Sequence, residues 1–264
     1  LGAGSNRPVQ GLLAKAIEKI NALKSKAMVI SIDIPTGVFP DTGTVKGPAV
    51  CADITYSLMG HKPGVLLYPG AKHAGRVVLL HPFQTQYRAP RLRFVVQPEA
   101  FPNLKRDRFS HKGTYGKLAV IAGSRDMSGA MTFAAEAAYR MGTGLVKIYT
   151  HIDNKEIAGV RIPEAVLMCY SNKDEAEQCA RDAVEWSDAI LIGPGIGKGD
   201  AARSMVEYIM CEAVQTVIAD ADALNIISEK PDILGRHRGP VIVTPHIGEM
   251  SRLTGVAIPD IKKN

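Results

Sequence analysis

Residues able to do chemistry collect where apolar runs stop. Three stretches show this: Asp-Ala-Ile-Leu-Ile-Gly-Pro-Gly-Ile-Gly (188–197), Asp-Ala-Asp-Ala-Leu-Asn (220–225) and Val-Ile-Val-Thr-Pro-His-Ile-Gly-Glu (241–249). Each short apolar run ends in small, acidic or imidazole residues, as buried parallel strands do where backbone or side chain must face a ligand. In an open α/β sheet, ligands sit in the crevice outside the carboxyl ends of the strands. Gly193–Gly197, Asp220 with Asp222, and His246 are so offered to one crevice. The two aspartates could position a hydroxyl or a metal, or one of them could serve only its turn. A lone histidine is more often a satisfied polar residue; the placement of His246 beside Gly195–Gly197 favours ligand contact.

A second group lies upstream. Leu-Gly-Ala-Gly-Ser-Asn-Arg-Pro (1–8) is a Gly-rich turn leading into a helix. Backbone N–H groups at such a helix start can hold a phosphate, and Arg7 adds charge. Glycine alone says only turn, and the two readings weigh the same. Asp33 ends the apolar run from Met28, before Pro35 and Gly37 force a turn. It could bond the turn's own backbone, or act as an acid/base; the latter is favoured because Gly2–Pro8 ends the preceding strand. Lys62, by itself, reads as a surface charge. In the other half, Gly-Ser-Arg-Asp-Met-Ser-Gly-Ala (123–130) joins a strand to a helix and could cradle a polar ligand. It is neither a P-loop nor GxGxxG, and packing explains Gly129-Ala130 as well as binding does.

These residues need a framework, and apolar periodicity supplies it. A helix is expected over 9–23, with Leu12, Leu13, Ala16, Ile17 and Ile20 at helical spacing. Strands are expected up to Asp33, over 53–58, and over 75–80 as an edge or final strand. Further on come a strand over 117–122, a helix over 131–141 capped by Gly142, and a strand over 145–150. Asp200 is expected to N-cap a helix running to about residue 213. Strands over 215–220 and 240–244 alternate with helices over 224–228 and from 248. Between the halves, Pro82, Pro90, Pro98 and Pro102 punctuate a stretch without periodicity, which puts a boundary near residue 90.

Composition narrows the class. A chain of 264 residues with 46% hydrophobic and 22% charged residues is an ordinary globular protein, and no apolar run reaches the roughly 20 residues that span a bilayer. The net charge of +6 suits phosphate-bearing small molecules. The densest basic cluster, Arg88–Arg108, lies in the Pro-containing stretch and reads as a solvated linker, so nucleic acid is not an expected partner. Cys51, Cys169, Cys179 and Cys211 form no CxxC pair and read as reduced structural thiols, without zinc.

The upstream motifs Gly2-x-Gly4-x-x-Arg7-Pro8, Asp33-Ile-Pro-Thr-Gly37, Ala52-Asp-x-Thr55 and Lys62-Pro-Gly64 resemble the second half of the NAD(P)H-hydrate epimerase domain. That resemblance implies a partial Rossmann-like domain over residues 1–90, interconverting the C6 epimers of hydrated NADH or NADPH with K⁺. Gly2, Ala3, Gly4, Ser5, Asn6, Arg7 and Pro8 would line the substrate, Asp33 would contact it as the catalytic acid/base, and Thr36, where the family has Ser, would ligate potassium.

Residues 91–264 resemble the ADP- or ATP-dependent NAD(P)H-hydrate dehydratases of the ribokinase-like superfamily. The matching motifs are His111-Lys-Gly-Thr-Tyr-Gly116, Gly123-Ser124, Gly129-Ala130, Gly142-x-Gly144, Gly193-Pro-Gly-x-Gly197, Asp220-Ala-Asp-Ala-Leu-Asn225 and Thr244-Pro-His-x-Gly-Glu249. The resemblance implies a partial ribokinase-like α/β domain that dehydrates the S hydrate with ADP or ATP and Mg²⁺. Ala130, Gly197 and His246 would bind the hydrate; Asp220, Asp222 and Asn225 stand near the site without an assigned role. A cytoplasmic homo-oligomer is expected. The family's upstream phosphate loop and downstream Gly-Ser/Thr-Gly-Asp motif are not in these residues, so the 264-residue chain is expected to be a fragment with little activity of either kind. A ribokinase-like small-molecule kinase and a non-catalytic nucleotide-binding module are the alternatives.

Overall fold

The computed structural model describes residues 7–82 and 106–262. The chain divides into two compact units, Leu1–Val96 and Gln97–Asn264. The boundary expected near residue 90, with Pro90, Pro98 and Pro102, lies outside the described residues.

In the first unit, α1 (Gly11–Ala22) precedes β1 (Ile30–Ile32), β2 (Ile54–Leu58), the short helices α2 (Pro63–Leu66) and α3 (Ala71–Ala74), and β3 (Arg76–Leu80). The strands form one parallel sheet in the order β1-β2-β3, so β3 is an edge among the described residues, as its sequence suggests. Ile17 alone of α1 is buried, with Val9 and Val50, while Leu12 and Leu13 point outward. A second cluster joins Ile34, Val38, Ala49, Val65 and Ala74. The buried hydroxyl of Thr55 in β2 donates to the Ala74 carbonyl at 2.6 Å, which satisfies a polar group inside the sheet.

The second unit runs β4 (Lys117–Ile121), α4 (Ser128–Arg140), β5 (Leu145–His151), α5 (Lys155–Arg161), β6 (Val166–Tyr170), α6 (Lys173–Trp186), β7 (Ala189–Ile192), α7 (Asp200–Glu212), β8 (Thr216–Ala219), α8 (Asp222–Ile227), β9 (Val241–Val243), α9 (Ile247–Thr254) and α10 (Ile258–Ile261). Its six strands are all parallel, in the order β6-β5-β4-β7-β8-β9. Strand alternation divides the core between the two faces of the sheet. Ala119 and Ile121 join a cluster with Ala180, Met205 and Leu224 from α6, α7 and α8. Val120 and Ala122 pack with Met131 and Ala135 of α4 and Ala158 of α5.

Two helix ends refine the sequence expectations. Gly142 lies one residue past the Met141 C-cap at φ +98°; its N–H donates to the Tyr139 carbonyl at 2.9 Å and that of Thr143 to Ala138 at 3.1 Å, a Schellman end. Asp200 is not the N-cap of α7: Gly199 holds that place and Asp200 is the first helical residue, where its charge favours the helix dipole. Residues 151–187 carry no element in the sequence reading, yet hold α5, β6 and α6. The buried face of α6 is Ala176, Cys179, Ala180 and Ala183, a helical stripe of small residues amid charges, which gives little apolar signal. On β5, the Lys147 ammonium and the buried Tyr149 hydroxyl donate to Asp182 of α6 at 2.7 and 2.6 Å. Desolvation opposes ionisation of Asp182, but those two bonds and the Lys147 charge together outweigh it and hold its carboxyl below the usual range.

Candidate functional site

Strand order marks the place in the second unit. From β4 the chain winds outward through β5 to β6, then returns beside β4 and winds the other way through β7, β8 and β9. The connections leaving β4 and β7 therefore part at a switch point, outside the strand carboxyl ends, where open parallel sheets bind ligands. The two connections are bonded there: Gly123 N–H donates to the Pro194 carbonyl at 2.9 Å and Ser124 N–H to that of Gly195 at 2.6 Å. The buried Thr150 hydroxyl donates to the Gly123 carbonyl at 3.1 Å. The buried Asn154 amide donates to the Ser124 carbonyl at 2.9 Å. The β4 connection is thus held rigid from beneath.

The glycines of 193–197 answer to different demands. Gly193 has φ +128°, and a Cβ there would lie 1.8 Å from the Asp220 carbonyl oxygen. Only a glycine lets the ends of β7 and β8 approach this closely. At Gly195 an added Cβ would meet those of Ala130 and Met127 at 2.9 and 3.1 Å. Ala130 therefore packs against the glycine loop. Gly197 also has positive φ, +75°, but nothing crowds it: the nearest atom to an added Cβ is 4.0 Å away, on Ser124. Space stays open beside its backbone. Helix α4, starting at Ser128, has no side-chain cap and no acid in its first turn, so orphan N–H groups and the positive end of its dipole adjoin this space.

Carboxylates stand at the next strand end. Asp222 accepts from Gly197 N–H at 2.9 Å, and Asp220 accepts from the Thr244 hydroxyl at 2.7 Å. Between them Ala221 sits at φ +48°, ψ −113°, a strained conformation for a residue with a Cβ. His246 follows β9 and N-caps α9. Its Nδ1 accepts from Gly248 and Glu249 N–H at 3.0 and 3.4 Å, while buried Glu249 accepts from His246 N–H at 2.9 Å. This reciprocal capping box fixes an exposed imidazole whose Nε2 lies 3.2 Å from Glu249. The structure so sets Ala130 against Gly195 and Asp222 on Gly197 of the same loop, whereas the described partners of His246 belong to its own helix.

In the first unit, Gly2, Ala3, Gly4, Ser5 and Asn6 lie outside the described residues; Arg7 and Pro8 are exposed. Asp33 directly follows β1 at φ +70°. Its carboxylate accepts from Leu58 N–H at 3.1 Å and pairs closely with the Lys62 ammonium, which also donates to the Leu58 carbonyl at 2.7 Å. Lys62 is therefore not the free surface charge its isolated letter suggests. Parallel pairing of β1 with β2 brings the two together, a signal the Lys62-Pro-Gly64 motif carried without saying what it touched. Thr36, half-buried, accepts from Val50 N–H at 2.9 Å through its carbonyl. Among the described residues, no three His, Cys, Asp or Glu side chains gather as a metal site.

Residues 118–264, more than half of the chain, match the family model described as NAD(P)H-hydrate dehydratase. The chain belongs to that family. Residues 1–64 match a second model, described as YjeF-related protein N-terminus. Over 274 residues the chain is 32% identical to the bifunctional NAD(P)H-hydrate repair enzyme Nnr of Thermofilum pendens, covering 99% of this chain and 51% of that protein. The enzyme of the same name from Coxiella burnetii is 33% identical over 269 residues, covering 100% and 53%. The chain spans about half the length of the curated relatives it matches. Among solved structures, the ADP/ATP-dependent NAD(P)H-hydrate dehydratase of Bacillus subtilis, co-crystallised with ATP/Mg²⁺, is 36% identical with a TM-score of 0.51, over 61% of this chain and 55% of that one. A ribokinase-like superfamily protein of Enterococcus faecalis is 28% identical with the same TM-score, over 59% and 54%. The α/β class with a ribokinase-like part, expected from the motifs, is met.

Proposed function

We propose that this chain carries parts of both halves of a nicotinamide-nucleotide repair machinery. One half epimerises the R and S hydrates of NADH or NADPH. The other dehydrates the S hydrate back to NAD(P)H at the expense of ADP or ATP. The observation that carries this reading is the switch-point crevice, where the Gly193–Gly197 loop meets the uncapped start of α4 and Asp222. Hydroxide is a poor leaving group. Phosphoryl transfer to the C6 hydroxyl makes phosphate the leaving group, and its departure restores the ring. Oriented N–H groups would stabilise the charge of that transfer, together with Mg²⁺ where Asp220 and Asp222 hold it.

Gly197, with open space beside its backbone, Ala130 and exposed His246 are the hydrate contacts in this reading. Asp220 and Asp222 are oxygen donors of the kind that suits Mg²⁺; each accepts one hydrogen bond from the protein and keeps lone pairs free. Asp33 is the acid/base of the epimerase half, with Arg7, Pro8 and the residues before them along the substrate. The Thr36 hydroxyl is a neutral hard oxygen fit for K⁺. A cytoplasmic homo-oligomer completes the proposal; among the described residues, no helix is long and apolar enough to cross a membrane.

The test supplies hydrated NADH as both epimers with Mg²⁺, K⁺ and ADP or ATP, and follows the return of NADH absorbance. It uses a protein of the relatives' length containing this sequence, with the 264-residue chain in parallel. Complete conversion by the longer protein is expected. Conversion that stops once one epimer is consumed removes the epimerase half of the proposal. No conversion with nucleotide still bound replaces it by the binding-module alternative.

A further inference from the structure

Outside both sites, among the described residues, one thiol stands next to an imidazole. Cys51 Sγ lies 3.4 Å from Nδ1 of His73, a residue of α3. Hydrogen bonds fix the backbone on each side. Cys51 N–H donates to Asn21 Oδ1 at 2.8 Å, and Ala52 N–H donates to the His73 carbonyl at 2.9 Å. Asn21 is itself held, its amide donating to the Ala49 carbonyl at 2.9 Å. Both side chains are half-buried, open enough for a small reagent. The other thiols differ: Cys179 is buried and pushed up to about 12 by desolvation, burial likewise raises Cys169, and neither they nor Cys211 has an imidazole at hydrogen-bond distance among the described residues. Burial, and then the neighbouring Lys72, hold His73 below the ordinary imidazole value against the opposing effect of a hydrogen bond to the Val50 backbone, so the ring is neutral at neutral pH. The other charges at hand are Lys24 and Asp53, which pair with each other at 3.2 Å.

We propose that Cys51 and His73 form a thiol–imidazole dyad that captures small α,β-unsaturated carbonyl compounds. A nucleophile with a base in hydrogen-bond reach is the arrangement that activates a thiol near neutral pH. In the step, Cys51 Sγ bonds to the β-carbon of the alkene and the π pair moves to the α-carbon. The thiol proton passes to His73 Nδ1 and from there to the α-carbon, so the adduct is neutral and His73 is regenerated. No oxidant or leaving group is involved. This site owes nothing to the repair chemistry and stands or falls apart from it.

The experiment treats the folded 264-residue chain with acrylamide and follows the adduct at each cysteine by peptide mass spectrometry. Cys51 is expected to react at least about tenfold faster than Cys211, and His73→Gln to remove at least about tenfold of its rate, a floor below the roughly 10²–10⁴-fold of full general-base assistance. Between about pH 7 and 8 an unassisted thiol gains nearly tenfold in rate, because its thiolate fraction does; Cys51 is expected to gain less than about twofold. Circular dichroism checks that the variant folds, and the wild-type rate and pH profile decide the matter if it does not. A Cys51 rate no greater than that of Cys211, or one that rises with pH as an unassisted thiol does, overturns the dyad.

Discussion

Gly193→Ala isolates the close approach that shapes the crevice. The added Cβ would fall 1.8 Å from the Asp220 carbonyl oxygen and 2.8 Å from the Ala223 Cβ, at φ +128°. The backbone conformation costs an L-residue on the order of 1–3 kcal/mol. Relieving the clash means separating the ends of β7 and β8, an overpacking cost of about 1–3 kcal/mol more. The expected loss is roughly 2–6 kcal/mol, a large share of the ~5–15 kcal/mol by which domains are stable. Gly197→Ala is the control: its φ is also positive, +75°, but its Cβ enters open space, so only about 1–2 kcal/mol is expected. Urea unfolding followed by tryptophan fluorescence separates the two, because the single tryptophan, Trp186, belongs to α6 in the second unit. The reasoning is refuted if Gly193→Ala destabilises the unit no more than Gly197→Ala does. Gly197→Ala has a further consequence under the proposed function: it fills the space beside the loop and weakens hydrate binding while the fold persists.

Three other perturbations test separate parts. His246→Ala removes the cap of α9 and is expected to cost about 0.5–2 kcal/mol, whereas His246→Asn keeps a capping side chain; denaturation and hydrate titration in parallel should show stability lost only in the alanine variant and hydrate affinity lost in both. Asp33→Asn tolerates φ +70° and can still accept from Leu58 N–H, losing only the charge that pairs with Lys62. Asp33→Ala loses both bonds at an unfavourable φ, so it should unfold roughly 1–2 kcal/mol more easily than the asparagine variant, with epimerisation absent in either. Asp182 is held below its ordinary range in the folded state. Its contribution to stability is therefore complete above the unfolded value of about 3.9 and disappears as pH falls through the lower folded value. Asp182→Asn should flatten the fall of the thermal midpoint below about pH 4; an unchanged acid slope would dismiss the Lys147–Asp182–Tyr149 cluster as its source.

Much of the second unit is legible residue by residue. The apolar runs before Gly123, Gly193 and Asp220 are strands, so these three residues and the loops they open lie at strand carboxyl ends. The sequence is silent where the information is not local. That Gly195 carries Ala130 on its face depends on β4 lying beside β7, a fact of sheet order. Lys62 and Asp33 meet only because β1 pairs with β2 in register, Ile32 opposite Tyr56. Helix α6 hides because alanine and cysteine, rather than leucine or isoleucine, form its buried face. At α7, Gly199 and Asp200 are both residues a helix start accepts, and only backbone angles tell which of them is the cap.

Backbone strain adds a pointer that motifs do not contain. Among the described residues, three non-glycine residues have positive φ: Asp33 at +70°, Met59 at +63° and Ala221 at +48°. Asp33 comes directly after β1, Met59 directly after β2, and Ala221 lies two residues past β8. All three sit at the carboxyl ends of parallel strands, which is where such sheets place their ligands. Methionine and alanine have no turn-forming chemistry to justify the conformation, and nothing in their letters announces it. Strain of this kind persists only where surrounding contacts over-determine it. At Ala221 those contacts are its two neighbours: Asp220 holds the Thr244 hydroxyl, and Asp222 holds the N–H of Gly197. Asp220, just past β8, and Asp222, the first residue of α8, serve different partners from either side of Ala221, and the turn between them is made at that residue. The strained peptide is thus the structural consequence of serving the Gly197 loop and the β9 end from one turn, which ties the backbone outlier to the same crevice that strand order identifies independently.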